Sequence, residues 1–246
     1  MVVPRKGKNI GARLLNSVGR VHVIDPRLWS RALGTDYWAS FGETSIDADT
    51  GGAKLDDFGW TTTTLTETVA TGAGDFLSSD TPGVPDHVLT DGSGDLLQSP
   101  AIFGGYAHGR AVESMLGYAP TQLTLECYAS FTVVTGTSNR SGFGLVEDAG
   151  TAGTAADELA WIYTDGTNFT IRSDADSDAG AADDVDWHLW KITVKIGSAT
   201  DAVEWFIDGT SQGTMDRKTD EWPVSFGMYA HTTNRPGLAW IHISYS

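Results

Sequence analysis

With 32 Asp and Glu among 246 residues, carboxylate chemistry is the first possibility the sequence raises. A retaining glycosidase needs two carboxyl groups about 5–5.5 Å apart, which on a strand means acids two or four residues apart on one face. Glu126 has Tyr128 and Ser130 as its same-face neighbours, and the adjacent pairs Asp157-Glu158 and Asp183-Asp184 would point apart on a strand. None of these is a carboxylate pair with hydrolase spacing, and the expectation is a chain without catalytic residues. The densest acidic run is Asp174, Asp176 and Asp178, continuing to Asp183, Asp184 and Asp186. Calcium takes about six to eight oxygens from a flexible loop. Here Gly180 falls one position late for an EF-hand and no Glu closes the loop. Two readings therefore stand: a solvated acidic turn, or a calcium site on Asp174, Asp176 and Asp178. No other cofactor is expected.

The six histidines are scattered without zinc-ligand spacing, and the chain has no Gly-x-Ser-x-Gly elbow, phosphate-binding loop or dinucleotide fingerprint. The single cysteine, Cys127, rules out an intrachain disulfide and sits in an apolar alternation, as a buried small residue would. A glycan site would draw on Trp222, Tyr229, His231, Asn234 and Arg235, which lie close in sequence; rim packing is the alternative use of the same residues.

The elements that would position these groups read as strands. Leu123, Leu125, Cys127, Ala129, Phe131 and Val133 alternate with polar residues, and Trp190, Ile192, Val194 and Ile196 alternate with Lys191, Thr193 and Lys195. Period two marks a strand with one buried face. Leu159–Tyr163 and Asn168–Arg172 flank Asp165-Gly166, a hairpin signal, and Ala202–Ile207 ends at Asp208-Gly209. Gly142–Val146, Ser225–Ala230 and Ala239–Tyr245 complete about seven strands. With 29 glycines, only 20% charged residues and no long amphipathic helix, the expected fold is all-β: an antiparallel two-sheet jelly-roll sandwich with an extended N-terminal arm. The sandwich spans residues 36–246 and is clearest over 121–246. Residues 71–99 read mostly as loop, with a short strand at His87–Leu89. No run approaches the roughly 18 apolar residues of a membrane span, so no membrane role is expected.

The stretch Asp186-Trp187-His188-Leu189-Trp190-Lys191-Ile192-Thr193-Val194, followed by Val203-Glu204-Trp205-Phe206-Ile207-Asp208-Gly209, resembles the concanavalin A-like lectin/glucanase superfamily, including its laminin-G-like and pentraxin-like jelly rolls. The strand Leu238-Ala239-Trp240-Ile241-His242-Ile243 is similar to the closing strand of such folds. The resemblance implies a sandwich in which a Trp wedges the core at a strand start and Asp-Gly makes a tight turn. It is nearly silent on activity, because the superfamily holds glycan binders, glycosidases and structural modules.

Charge divides the chain. Residues 1–35 carry seven Lys and Arg against one Asp, a net of +6; with −16 overall, the other 211 residues carry −22. An acidic body does not suit a nucleic-acid backbone. The arm is also apolar, and Arg5, Lys6, Lys8, Arg13, Leu14, Leu15, Arg20 and Trp29 are the residues expected to bind a partner. No signal-peptide apolar stretch follows the basic start, so export by that route is not expected. Lectin-like sandwiches are frequent in tailed-phage virions. By that resemblance the expected role is a non-enzymatic virion protein, a capsid decoration (cement) or tail-associated module, assembled in the host cytoplasm. Its partners would be other capsid or tail subunits and further copies of itself. A glycan-binding module for host attachment and a glycoside hydrolase are the alternatives.

Overall fold

The computed structural model describes residues 36–40, 60–63, 69–70, 76–77, 82–90, 94–99, 121–132, 140–146, 158–173, 176–217, 225–231 and 234–246. No helix occurs among them. Sixteen strands do. In chain order they are β1 (Asp36–Ser40), β2 (Thr61–Thr63), β3 (Val69–Ala70), β4 (Phe76–Leu77), β5 (His87–Leu89), β6 (Leu96–Gln98), β7 (Gln122–Phe131) and β8 (Gly142–Val146). Then follow β9 (Glu158–Thr164), β10 (Asn168–Ser173), β11 (Asp176–Ala182), β12 (His188–Lys195), β13 (Val203–Ile207), β14 (Thr210–Met215), β15 (Ser225–Tyr229) and β16 (Pro236–Tyr245).

They form two sheets. Sheet A runs β14-β13-β12-β7-β16-β5-β4-β3, with β1 added on β16; sheet B runs β11-β10-β9-β8-β15-β6-β2. All pairings are antiparallel except the two-residue contact of β3 with β4. The chain is thus an all-β antiparallel sandwich, and neighbours in each sheet are often distant in sequence, as crossing jelly-roll connections require.

The core lies between the sheets and follows the alternation. Leu123, Leu125, Cys127, Ala129 and Phe131 of β7 meet Trp190, Ile192 and Val194 of β12, all buried. Sheet B contributes Phe143, Leu145, Ile162, Phe169, Ile171, Phe226 and Met228. Trp190 is the wedge: its ring packs edge-on against Phe169 at 4.9 Å and Phe143 at 5.5 Å, and its indole N–H donates to the Ala129 carbonyl at 2.9 Å. That bond lets a large aromatic be buried without stranding its polar atom. Cys127 is fully buried and burial pushes its thiol up, which keeps it from reacting as a thiolate.

The two Asp-Gly turns behave as their residues demand. Asp208 (φ 49°) and Gly209 (φ 80°) are both left-handed, as a primed hairpin turn requires. In the β9–β10 turn, Asp165 Oδ1 accepts from the Thr167 and Asn168 amides at 2.9 and 2.8 Å.

The acidic stretch differs from the turn expected for it. Asp176–Ala182 is a strand, β11, paired with β10 and forming the edge of sheet B. Its low apolar content is what an edge strand tolerates, and charged side chains block further pairing there. β11 also closes one side of the sandwich against β13 and β14. Trp205 Nε1 donates to Asp178 Oδ2 at 3.0 Å, the Asp216 amide donates to Asp176 Oδ2 at 2.9 Å, and the Ala181 amide donates to Gln212 Oε1 at 2.9 Å. Glycine makes the approach close enough. A Cβ on Gly180 would lie 2.6 Å from the Trp205 ring, and one on Gly213 would lie 2.1 Å from Asp178 Oδ2.

Candidate functional site

The pairing of five strands lays out the face of sheet B that points away from the core. Directly paired residues share a face. One row across this face is Arg172, Trp161, Gly144, Gly227 and Gln98; the next is Thr170, Tyr163, Gly142, Tyr229 and Leu96. Glycine therefore occupies three central positions, on β8 and β15, between tryptophan and tyrosine on β9 and tyrosine, glutamine and leucine beyond. The result is a trough-like strip of glycine between aromatic rings, buried at Trp161, Gly142, Gly144, Gly227 and Leu96 and partly exposed at Tyr163 and Tyr229.

Local packing explains the glycines. A Cβ on Gly142 would stand 2.1 Å from the Ile162 carbonyl oxygen, and one on Gly144 would stand 2.0 Å from that of Ala160. β8 and β9 approach closely only because both residues lack a side chain. The Trp161 indole lies over this strip, with Nε1 2.9 Å from the Cβ position at Gly142. Trp161 is fully buried, and among the described residues its N–H has no hydrogen-bond partner. A buried donor without a partner costs about 1–3 kcal/mol.

Cations cap the tyrosines. The Arg172 guanidinium sits 5.4 Å from the Tyr163 ring centre and Arg140 sits 5.8 Å from that of Tyr229, both within cation–π range. Tyr163 and Tyr229 are half-buried and pack on a small apolar cluster of Leu96, Val146 and Trp161. Such a surface offers two tyrosine rings to an apolar ring face, with the Arg140 guanidinium beside one of them, a mix that suits a small-molecule site.

Only part of the expected glycan set belongs here. Tyr229 is in the trough, and His231 is beside it with ring centres 6.5 Å apart. Arg235 is exposed elsewhere on the chain path, where its carbonyl accepts from the Thr132 amide and hydroxyl at 2.9 and 3.1 Å. Asn234 is fully buried and donates to the Thr164 carbonyl at 3.4 Å, a structural use. The trough residues missing from the sequence reading were Trp161, Tyr163, Arg172, Gly142, Gly144 and Gly227. Their signal was present as two i, i+2 pairs, Gly142/Gly144 and Trp161/Tyr163, alternating with the core residues Phe143 and Ile162.

Of the metal set, Asp176 and Asp178 turn their carboxylates to Asp216 and Trp205, as described above. Among the described residues no three His, Cys, Asp or Glu side chains converge as metal ligands. Asp174, Trp222 and the arm residues Arg5, Lys6, Lys8, Arg13, Leu14, Leu15, Arg20 and Trp29 lie outside the described residues.

A second constellation sits at the start of β12. His188 Nδ1 is 2.6 Å from Asp208 Oδ2 and Nε2 is 2.9 Å from Asp184 Oδ1. Both ring nitrogens face carboxylates, so both carry hydrogen and donate, which is the imidazolium form. Burial opposes that charge, but the bonds to Asp208 and Asp184 outweigh it and hold His188 above its ordinary value. Burial likewise opposes ionisation of Asp208, and the bonds from His188 and from the Leu189 amide at 2.9 Å outweigh it, leaving its carboxyl below the ordinary range. The group ties the β13–β14 turn to the connection before β12. Asp183, next to Asp184, accepts instead from the Thr164 hydroxyl, so these adjacent acids do point apart.

The outward face of sheet A is different again. Glu126 pairs with His242 at 3.3 Å, Lys191 lies 5.4 Å from the Phe206 ring centre, and Trp187 packs on Tyr128 and His87 at 5.5 and 4.9 Å. Of the two tryptophans flanking His188, Trp190 faces the core and Trp187 covers the outside.

No family model and no curated protein matches the chain. Among solved structures it is similar to a Trypanosoma rangeli sialidase in complex with sialic acid, at 14% identity and TM-score 0.46, over 65% of this chain and 26% of that one. It is also similar to a botulinum neurotoxin serotype C1 binding domain, at 9% identity and TM-score 0.42, over 70% and 42% of the two chains. A cellulose induced protein is matched at 9% identity and TM-score 0.43, over 76% and 86%. The chain spans about a quarter of the sialidase and under half of the toxin domain, and nothing about activity follows from these likenesses.

Proposed function

We propose that this chain is a non-enzymatic binding module that recognises a glycan in the trough on the outward face of sheet B. The observation that carries the reading is the pair of half-buried rings, Tyr163 and Tyr229, set on either side of Gly142 with a guanidinium over each. A sugar ring would stack on Tyr163 and Tyr229, the two rings of this face that are exposed in part. The non-enzymatic part is supported by the acids themselves. Glu126, Asp176, Asp178, Asp183, Asp184 and Asp208 each accept a hydrogen bond from a protein donor. A glycan array probed with the full chain tests this. The expected result is a restricted set of retained, chemically intact glycans, lost on Tyr163→Ala and Tyr229→Ala; uniform background across the array contradicts it.

A second reading, favoured by the charge split of +6 against −22, is that the same sandwich is a structural protein of a phage particle, a capsid decoration or tail-associated module held by its N-terminal arm. Many weak contacts multiplied over many copies would provide the hold. Deleting residues 1–35 should then abolish incorporation into particles, and unchanged occupancy would rule the anchor out. The two readings are compatible, since a particle-bound sandwich can present a glycan site.

A further inference from the structure

Among the described residues, two large apolar side chains are exposed: Val185 at 53% and Leu189 at 39%. They belong to one place, the connection from β11 into β12. Acidic groups adjoin them. Asp183, Asp184 and Asp186 flank Val185 in the chain, and Asp208 is bound to Leu189 through both backbone directions, with its amide donating to the Leu189 carbonyl at 2.8 Å and its carboxylate accepting from the Leu189 amide at 2.9 Å. His188 offsets one of these four charges. An apolar pair beside net acidic groups suits a peptide that alternates basic and apolar residues.

Such a peptide exists in the sequence. The first 35 residues repeat a basic residue followed by apolar ones at Arg13-Leu14-Leu15, Arg20-Val21 and Arg27-Leu28-Trp29, with a net charge of +6. The point of attachment bears on which copy could supply it. β1 pairs with β16 from Asp36 opposite Ser244 to Ser40 opposite Trp240. Trp240 shares a row with Tyr128 and Leu189, whereas Ser244 shares one with Thr124 and Thr193. The chain preceding Asp36 therefore joins sheet A at the end remote from Leu189.

We propose that Val185 and Leu189, with Asp183, Asp184, Asp186 and Asp208 adjoining them in the chain or by hydrogen bond, form the docking surface for the N-terminal arm of a second copy of this chain. The inference rests on the arm reading and is independent of the glycan trough. Apolar contact and charge pairing together supply the hold, and the charge pairing also supplies direction and rate. Because Asp186 and Asp208 are exposed, the contact weakens with salt as the screening length falls from about 8 Å at 0.15 M to about 3 Å at 1 M.

Sedimentation velocity of the full chain at low and high salt, with carbodiimide cross-linking of an equal mixture of unlabelled and 15N-labelled protein, tests it. The expected result is an oligomer at low salt that dissociates at 1 M salt, with cross-links from Lys6 or Lys8 to Asp186 joining light to heavy chains. Val185→Lys with Leu189→Lys, both at exposed positions, should leave the circular dichroism spectrum unchanged and abolish the oligomer. Arg13→Glu with Arg20→Glu should do the same. A monomer under all conditions, cross-links only within one isotope, or an oligomer indifferent to both pairs of substitutions would each overturn the proposal. Glycan retention by the same variants should be unchanged, which separates this outcome from that of the trough.

Discussion

The two outward faces of the sandwich are made by the same alternation, yet they are furnished differently. On sheet A the outward positions carry side-chain pairs, Glu126 with His242, Lys191 with Phe206 and Tyr128 with Trp187, beside one buried hydroxyl, that of Ser130, with no partner among the described residues. On sheet B the corresponding positions hold glycine in the middle and large rings at the sides, with a buried indole donor left unpartnered among the described residues. What sets sheet B apart is the two partly exposed tyrosine rings held across a glycine, a surface on which a ligand ring can lie.

The largest expected effect comes from a residue that serves both faces. Trp190→Ala removes the wedge between the sheets, so it should destabilise by about 3–5 kcal/mol in urea unfolding and lower protection on both sheets together. Loss confined to one sheet would show that the faces fold as separate units. Next is Gly144→Ala, where the new Cβ meets the Ala160 carbonyl and the backbone must shift. About 1–3 kcal/mol should be lost, with hydrogen exchange rising on β8 and β9 ahead of β12 and β13.

His188→Gln sharpens the contrast from the sheet A side, removing two charge-assisted bonds at a cost of about 1.5–3 kcal/mol. It also has a pH signature. His188 is held above its ordinary value near 6.5, so its contribution is fully present below that value and is lost as pH rises through the raised one. Asp208 is held below its ordinary value, so its contribution is present above that value and is lost as pH falls through the depressed one. The native chain should show a stability plateau between these limits, and the variant should lose the alkaline decline. A variant whose pH profile matches the parent's would remove the imidazolium from the account. The smallest effect should be Tyr229→Ala, which changes stability by no more than about 1 kcal/mol while removing a wall of the trough.

Much of this was legible in the sequence. Alternation at Leu123–Phe131 and Trp190–Val194 gave sheet, face and core, because a half-buried strand writes its burial with period two. Asp208-Gly209 gave its turn because few other pairs accept left-handed angles at both positions, and Asp165-Gly166 gave its own through the Asp165 carboxylate and a left-handed Gly166. Asp176–Ala182 was misjudged because an edge strand lacks the apolar periodicity that marks a central one, and its pairing with β10 is set by the neighbouring hairpin. The trough was missed for a related reason. Gly142, Gly144, Trp161 and Gly227 come from three strands, and only the register of β9, β8 and β15 puts them side by side. Sequence proximity suggested Asn234 and Arg235 instead, and the fold turns one into the interior and leaves the other exposed just before β16. His188 was recognised as part of a motif, but its two carboxylate partners meet only when the β13–β14 turn returns to the start of β12.

Saturation-transfer NMR of the full chain with a glycan retained on the array tests the central claim most directly, comparing the parent with Tyr163→Ala and with Glu126→Gln on the opposite face. The account predicts transfer to the sugar ring protons in the parent and in Glu126→Gln, and its loss in Tyr163→Ala at unchanged melting temperature. Transfer that survives Tyr163→Ala, or disappears with Glu126→Gln, would place the site elsewhere and contradict the trough.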